Sequence, residues 1–302
     1  MTEETPPSRN ARPGRSRPYV PHEPHVFRHP AARVVIYALL VVAALFYLLP
    51  AFVVVTNVFR NSYDVAHYGF LALPRSFSFE PFVRAWTRTC VSGTCEGVAR
   101  NFLNSLIITV PATLITTALG LVNGYVLTKW RFRGSDLLFL AILLGVFMPF
   151  QTSLLPWAFV LSHLGLYNNV YGLLLINCVQ GISFATVFCR AFFVHVPDDL
   201  VKAAQLDGAG FWRIFRKVML PLSPPIVIVT LIWQFTFFWN DYLYGMVFTT
   251  GSQQPITVAL MGAGRGTQSA TVLIGALPPL LLFLFGGRYF TRIVMRGALA
   301  GV

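Results

Sequence analysis

The hydropathy pattern divides the chain into long apolar runs separated by short charged segments. Six runs each reach the 20 or so residues that a helix needs to cross roughly 30 Å of hydrocarbon. These runs cover residues 34–59, 102–126, 137–160, 170–194, 222–248 and 270–291. The pattern predicts an all-α membrane protein with six transmembrane helices, and an even number of spans places both termini on one side of the membrane.

A charged segment, residues 197–221, separates the fourth and fifth runs and is patterned as two short helices. We expect Asp198 to cap the first helix, Gly208 to close it with a left-handed turn, and Pro221 to end the second. The second helix is amphipathic: Phe211, Ile214, Phe215, Val218 and Met219 share one face, and Arg213, Arg216 and Lys217 share the other. This arrangement predicts a docking surface, although an ordinary amphipathic loop helix would give the same pattern.

Composition and charge support the membrane prediction. The mean hydropathy is +0.63, and only 11% of the 302 residues are charged, which is too few to cover a soluble domain of this size. Basic residues outside the spans or at their ends are divided 17 to 6 in favour of the side that holds the termini and the 197–221 loop. That bias predicts that this side is cytoplasmic. The net charge of +12 then reflects loops facing an anionic leaflet, and no nucleic-acid partner is needed.

The first 33 residues are rich in proline and arginine and lack apolar periodicity. Such a segment cannot bury a core, so we expect a disordered cytoplasmic tail, followed by a transmembrane domain over residues 34–302. The first apolar run is longer than the core of a secretory signal and has no convincing cleavage site, so we do not expect it to be removed.

Polar side chains inside the spans mark a possible path across the membrane. Gln151 and Thr152 lie between Pro149 and Pro156, where the prolines remove intrahelical hydrogen bonds and should bend the third helix. A translocation path would satisfy these groups, and so would a packed kink.

The fourth and fifth spans carry further polar groups. Asn177 and Gln180 are three residues apart and share a helix face, which suits either a hydroxyl-rich ligand or a contact between helices. Asn240 and Asp241 follow, and Asp241 is the one acidic residue in the predicted spans. The rings of Trp239 and Tyr242 beside them suit sugar stacking, but they suit an aromatic belt at the membrane surface better.

The cysteines predict one bond and exclude another. Cys90 and Cys95 fall in the loop that the charge bias places outside, where an oxidising compartment allows them to pair, although free thiols remain an alternative. A bond closing so short a loop would contribute about 2 kcal/mol. Cys178 and Cys189 lie roughly 16 Å apart along one helix and cannot pair.

Catalytic chemistry is not indicated. The chain has no Gly-Lys-Ser or Gly-Lys-Thr sequence, so it lacks a phosphate-binding loop for ATP. His22 and His25 flank Glu23 without the spacing of a metal site. We therefore expect no enzyme activity, no cofactor and no metal, with the energy for transport supplied by another polypeptide.

Several motifs resemble one family. Ala203-Ala204, Gly208, Val218 and Leu220-Pro221 resemble the coupling loop of permease subunits in binding-protein-dependent ABC importers. The third and fourth spans, including Met148-Pro149-Phe150-Gln151, are similar to those of maltose-type sugar permeases, and the resemblance covers about residues 100–300. The Cys-x4-Cys-Glu-Gly stretch from Cys90 resembles permeases for glucose or mannose. One departure is Lys202, which stands where the family has Glu.

The resemblance implies a permease in a bacterial cytoplasmic membrane that imports a sugar. Its implied partners are a second homologous permease, two ATP-binding subunits and an extracytoplasmic sugar-binding protein. The coupling residues would be Asp198, Lys202, Ala203, Ala204, Asp207, Gly208, Phe211, Phe215, Leu220 and Pro221. The substrate path would include Gln151, Thr152, Asn177, Gln180, Asn240 and Asp241.

Two alternatives come from the residues themselves. An ion-coupled secondary transporter would need inverted repeats and intramembrane ionisable groups, which Asp241 alone serves poorly. An importer permease for a polyol or another non-sugar solute would fit the same pattern of polar side chains.

Overall fold

The computed structural model describes residues 30–60, 77–91, 95–264 and 266–300, with residues 63, 67–69, 72, 74 and 93, and side chains as far as residue 287. Its main helices are α1 (Pro30–Val58), α2 (Glu80–Arg88), α3 (Ala99–Lys129), α4 (Ser135–Phe147), α5 (Leu154–His163), α6 (Val170–Val194), α7 (Asp198–Leu206), α8 (Phe211–Ile214), α9 (Pro224–Trp239), α10 (Leu243–Phe248), α11 (Ile256–Gly262) and α12 (Gln268–Ala300). The predicted all-α class is therefore confirmed.

The chain divides into two compact units, residues 1–51 and 52–302. The first unit contains most of α1, an apolar helix with Pro50 in its last turns. Nearly all of the predicted disordered tail, residues 1–29, lies outside the described residues.

Within the described residues, four helices are long and apolar enough to cross a membrane: α1, α3, α6 and the first 20 residues of α12. Two bent pairs bring the total to six if each pair is one span. In the first pair, α4 is followed by a 3-10 turn (Phe150–Ser153) and α5, bent by 98°. The second pair joins the segment Phe211–Leu222 to α9 at 78°.

The bend in the third span is sharper than a proline kink. We expected a continuous, kinked helix over residues 137–160, but α4 ends at Phe147, and Pro149 is the N-cap of the 3-10 turn. Pro149 has no N–H to continue the α4 ladder, and its ring excludes the helical conformation from Met148. Met148 is indeed extended, with φ of −68° and ψ of 122°.

The most extensive contact in the second unit joins α3 to α6. Gly120 and Gly124 of α3 lie against Ala185 and Cys189 of α6, so closely that a Cβ placed on Gly120 would be 2.4 Å from the Cβ of Ala185. Small residues allow such an approach between membrane helices, where backbone contact replaces the hydrophobic driving force. Asn123 of α3 also donates a hydrogen bond to the Thr186 hydroxyl at 3.1 Å.

The helix α9 completes the bundle by packing against α3, α6 and α12. Its Gln234 amide donates to the Gly181 carbonyl of α6 at 2.6 Å, and its Trp239 indole donates to the Gly275 carbonyl of α12 at 2.8 Å. Both side chains are almost fully buried. These bonds satisfy the Gln234 NH₂ group and the Trp239 indole N–H, which would be costly to bury unpaired.

The first turns of α3 hold a distant segment in place. The Asn101 amide donates to the Gln254 carbonyl at 2.9 Å, and the Asn104 amide donates to the Ser252 carbonyl at 2.8 Å. The Ser105 hydroxyl accepts from the Ile256 N–H at 2.8 Å. Because all three bonds are to backbone atoms, they fix the path of the chain into α11.

A disulfide closes the connection between α2 and α3. The structure joins Cys90 to Cys95, and the Gly97 N–H donates to the Thr89 carbonyl at 3.0 Å across the same connection. Gly97 has a φ of +74°, and an added Cβ would lie 2.0 Å from the Trp86 carbonyl oxygen. Only glycine fits this position.

The contact between α3 and α6 can be tested with an added methyl group. We expect Gly120→Ala to lower the free energy of unfolding by about 1 to 3 kcal/mol, because the helices must separate to admit it. Gly264→Ala is the control, since nothing lies within 4 Å of a Cβ there. Thermal unfolding in detergent measures both, and equal midpoints would show that the helices do not meet at Gly120.

The Cys90–Cys95 bond predicts that neither thiol reacts in protein taken from native membranes. Alkylation without reductant, followed by peptide mass spectrometry, should label these two cysteines only after reduction. Labelling of both before reduction would show that they are free.

Candidate functional site

A cavity of about 510 Å³ lies among α6, α9, α10 and the 3-10 turn that follows α4. Its volume is in the range of small-molecule sites. The residues that line it are Phe150, Asn177, Gln180, Trp233, Thr236, Phe237, Asn240, Asp241, Tyr242, Leu243 and Tyr244. Aromatic rings thus form much of the wall, and amide, hydroxyl and carboxylate groups are set among them.

Four of the six predicted path residues line this cavity: Asn177, Gln180, Asn240 and Asp241. Gln151 and Thr152 do not line it, although Phe150 of the same turn does. The Thr152 hydroxyl donates to the Pro149 carbonyl at 2.7 Å, which satisfies a carbonyl in the break itself. The local hydrogen bond therefore accounts for Thr152 without a ligand.

The two amides of α6 have different environments. Asn177 is 2% exposed, and its side chain has no hydrogen bond in the described part of the chain. Gln180, one turn further, donates to the Tyr244 hydroxyl. Since its amide has no partner among the described residues, Asn177 can form hydrogen bonds with a polar ligand in the cavity.

Asn240 and Asp241 lie in a break between α9 and α10, whereas we expected one continuous span over residues 222–248. The Asp241 carboxylate accepts from the Tyr244 N–H at 3.2 Å, so it satisfies one of the free N–H groups at the start of α10. Its carbonyl accepts from the Thr257 hydroxyl at 2.8 Å. The Asn240 amide donates to the Thr236 carbonyl at 2.9 Å, which satisfies the end of α9.

Tyr244 is a site residue that sequence reasoning missed. Its ring is buried at 3% exposure, and its hydroxyl lies 2.8 Å from the Ser153 hydroxyl and donates to the Phe150 carbonyl at 3.1 Å. With the bond from Gln180, this hydroxyl joins α6, α10 and the broken third span. The sequence feature that could have identified Tyr244 is a tyrosine within an apolar run, because a buried tyrosine hydroxyl needs a hydrogen-bond partner.

Trp239 and Tyr242, the two rings that the sequence analysis considered together, lie in different environments. Tyr242 lines the cavity, but Trp239 is 2% exposed and stacks on Phe235 with ring centroids 5.6 Å apart. Trp239 therefore belongs to the contact with α12 and is neither a cavity ring nor part of a surface belt. The rings that do line the cavity from α9 are Trp233 and Phe237.

The loop between α6 and α9 forms two short helices that meet at Gly208. The Ala209 N–H donates to the Ala204 carbonyl, and the Gly208 N–H donates to the Gln205 carbonyl, both at 3.0 Å. With a φ of +74° at Gly208, these bonds form a Schellman motif, as the sequence predicted. Lys202, Ala203 and Asp207 are exposed on this part of the loop, and Lys202 is 3.8 Å from Asp199.

Asp198 does not cap α7 as predicted, because the N-cap is Pro197 and no side chain bonds there. Instead, the Asp198 carboxylate accepts from the Lys129 ammonium at 2.6 Å. Lys129 also donates to the Val196 carbonyl at 2.5 Å, and its side chain is only 4% exposed. This hydrogen bond and the lysine charge lower the pKa of the Asp198 carboxyl. One buried cation thus joins the last residue of α3 to the start of the loop.

The apolar face of the second helix points into the protein, which corrects its predicted role as a docking face. Phe211 and Phe215 pack on Tyr125 of α3, with ring centroids 5.0 and 5.5 Å away. Phe215 is buried and Phe211 partly so. Several other apolar side chains of the loop are exposed, and the most exposed of these are Leu206, at 90%, and Trp212, at 55%.

The second helix also ends differently from the prediction. A π-helical turn (Phe215–Met219) leads into a last turn, Leu220–Leu222, which contains Pro221. The chain then bends at Ser223, whose hydroxyl donates to the Met219 carbonyl at 2.6 Å. Leu220 and Pro221 are exposed on this last turn.

Comparisons with known proteins agree with this geometry. The family model described as "binding-protein-dependent transport system inner membrane component" matches residues 116–297. A probable ABC transporter permease protein of Pyrococcus horikoshii, PH1216, is 42% identical over 59% of this chain and 68% of its own. The diacetylchitobiose uptake system permease protein NgcG of Streptomyces coelicolor is 30% identical over 80% and 77%.

A solved structure shows the same fold. A chain of a bacterial ABC transporter involved in the import of the acidic polysaccharide alginate superposes with a TM-score of 0.68. The likeness covers 88% of this chain and 97% of that one, at 20% sequence identity.

The contribution of the Tyr244 hydroxyl to stability can be tested by removing its oxygen atom. We expect Tyr244→Phe to lower the free energy of unfolding by roughly 1 to 3 kcal/mol, because Gln180, Ser153 and the Phe150 carbonyl lose a buried partner. The control is Tyr242→Phe, whose hydroxyl contacts only the Met246 sulfur among the described residues, at 2.8 Å. Denaturant unfolding in detergent compares the two, and an equal effect would contradict a special role for Tyr244.

Proposed function

Because the chain belongs to the family of binding-protein-dependent transport system inner membrane components, we propose that it is a permease subunit of an ATP-driven importer for a sugar. It is a multi-pass membrane protein and a non-catalytic subunit. ATP hydrolysis takes place on two separate ATP-binding subunits. A second homologous permease completes the path, and an extracytoplasmic sugar-binding protein delivers the cargo.

The cargo in this proposal is a glucose- or mannose-like sugar or a related oligosaccharide. The named cargo of the similar protein NgcG, diacetylchitobiose, is a carbohydrate. A cavity that combines ring faces with amide groups suits a molecule with apolar ring faces and a rim of hydroxyls. A polyol offers the rim but not the ring faces, so the cavity favours a sugar.

The observation that carries the proposal is the exposed loop from α7 to Leu222 and its attachment to α3. Leu206 and Trp212 are apolar and face outwards, while Arg213, Arg216 and Lys217 are also exposed. Exposed apolar side chains with a charged surround are typical of a protein interface. In the proposed orientation both termini and this loop face the cytoplasm, where the ATP-binding subunits dock.

The packing provides a route from the docking loop to the cavity. Lys129, Tyr125 and the rings of Phe211 and Phe215 attach the loop to the end of α3. The glycine contacts then attach α3 to α6, which carries Asn177 and Gln180. We propose that these three parts move together, so closure of the ATP-binding subunits changes access to the cavity.

The docking surface can be tested with Leu206→Ser combined with Trp212→Ala. Central apolar anchors at interfaces typically contribute 2 kcal/mol or more each, so binding of the ATP-binding subunits and sugar uptake should both fall more than tenfold. Met261→Ser is the control, because Met261 is 74% exposed on α11, away from the loop. Co-purification from membranes and uptake by intact cells are the measurements.

A further variant separates docking from folding. Phe215→Ala should lower stability by about 3 to 5 kcal/mol, because it leaves a cavity beside Tyr125.

If the double variant at Leu206 and Trp212 keeps normal binding of the ATP-binding subunits, the loop is not the docking element and this part of the proposal is wrong.

A further inference from the structure

The charges around the cavity are of one sign. Among the described residues that line it there is no lysine, arginine or histidine, and Asp241 is the one ionisable acid. The nearest cation along α6 is Arg190, roughly 15 Å from Gln180 along the helix axis. Its guanidinium lies over the Phe139 ring, 3.7 Å from the centroid. No cation in the described lining therefore balances Asp241.

The other polar groups of the cavity suit uncharged hydroxyls. Asn177 lacks a partner among the described residues and offers both a donor and an acceptor. Asn240 offers its amide oxygen as an acceptor and one N–H as a donor, because its other N–H donates to the Thr236 carbonyl. One carboxylate oxygen of Asp241 accepts from the Tyr244 N–H. The carboxylate keeps capacity to accept further hydrogen bonds, and a neutral sugar can donate them from its hydroxyls.

An anionic sugar would be less favourable in this cavity than a neutral one. Its carboxylate would share the cavity with the Asp241 carboxylate, and the two like charges would repel each other. The described residues that line the cavity also include no guanidinium or ammonium to pair with the sugar carboxylate, although such groups are the usual partners of bound carboxylates. The described part of the lining therefore supplies hydrogen-bond acceptors for an alcohol and no positive charge for an acid.

We propose that this cavity selects uncharged sugars and excludes uronic acids and sugar phosphates, with Asp241 as the residue that sets this charge preference. The inference rests on the proposed function, because it requires the cavity to be part of the sugar path. It concerns selection within the membrane subunit, and thus adds a filter to whatever the sugar-binding protein selects.

The charge preference can be measured without knowing the sugar. The assembled complex, with Cys178→Ser to remove the half-buried free thiol, receives Asn240→Cys as a reporter in the cavity. A cationic and an anionic methanethiosulfonate of similar size are then compared by their rates of modification. A unit charge within several ångströms should favour the cationic reagent by an order of tenfold beyond its ratio with free cysteine.

Three variants complete the experiment. Asp241→Asn keeps an oxygen that can accept from the Tyr244 N–H but removes the charge, so the ratio should fall to that of free cysteine. Asp241→Glu keeps the charge and should keep the preference, which covers the case in which the asparagine variant fails to assemble. Asp136→Asn is the control for net charge, because Asp136 is exposed in the first turn of α4.

The outcomes separate the inference from the proposed function. The charge filter is overturned if the ratio of cationic to anionic modification rates in the parent equals that of free cysteine, or if a preference for the cationic reagent persists in Asp241→Asn. In either case the cavity remains a water-accessible path. If neither reagent reaches Cys at position 240 with or without ATP, or at position 180 in Gln180→Cys, the cavity is not on the path. The proposed path and the filter then fail together.

Discussion

The close contact between α3 and α6 is the interaction on which the rest of the second unit depends. It exists because Gly120 and Gly124 present no side chain where the α6 backbone passes. In a membrane, where lipid tails are as apolar as leucine, such backbone proximity and a few hydrogen bonds must hold helices together. The α3 helix has 31 residues and so extends for roughly 46 Å, and it holds a different segment at each end.

Those two attachments use different chemistry for the same purpose. At its first turns, α3 uses amide side chains to bind backbone carbonyls of the segment before α11. At its last turn, Lys129 binds a backbone carbonyl and a carboxylate at the start of the 197–221 loop. A lysine is also favourable at a helix C-terminus, where the helix dipole is negative. The loop is therefore attached to α3, and α3 in turn packs closely against α6.

The cavity depends on breaks in helices. Pro149 ends α4, and the chain between Trp239 and Leu243 leaves the helical path. Irregular backbone at membrane depth is tolerated where protein or a polar cavity satisfies it, and here the Tyr244 hydroxyl, the Asp241 carboxylate and the Asn240 amide do so. The side chains that form hydrogen bonds with the free backbone groups at these breaks also line the cavity.

The sequence predicted the helical class, the Gly208 turn and four of the cavity residues, because apolar run length, glycine and buried polar groups act locally. It did not predict which face of the 211–219 helix points inward. Periodicity shows that Phe211 and Phe215 share a face, but only the position of Tyr125, about 90 residues earlier in the chain, shows what covers them. Tyr244 was missed for a similar reason, since its three partners come from distant segments.

The most direct test of the central claim is sugar uptake by proteoliposomes that contain the assembled complex and the sugar that co-purifies with it. The account predicts uptake only when ATP is present on the side of the docking loop and the sugar-binding protein on the other. Uptake driven by an ion gradient without ATP would contradict it and would point to a secondary transporter.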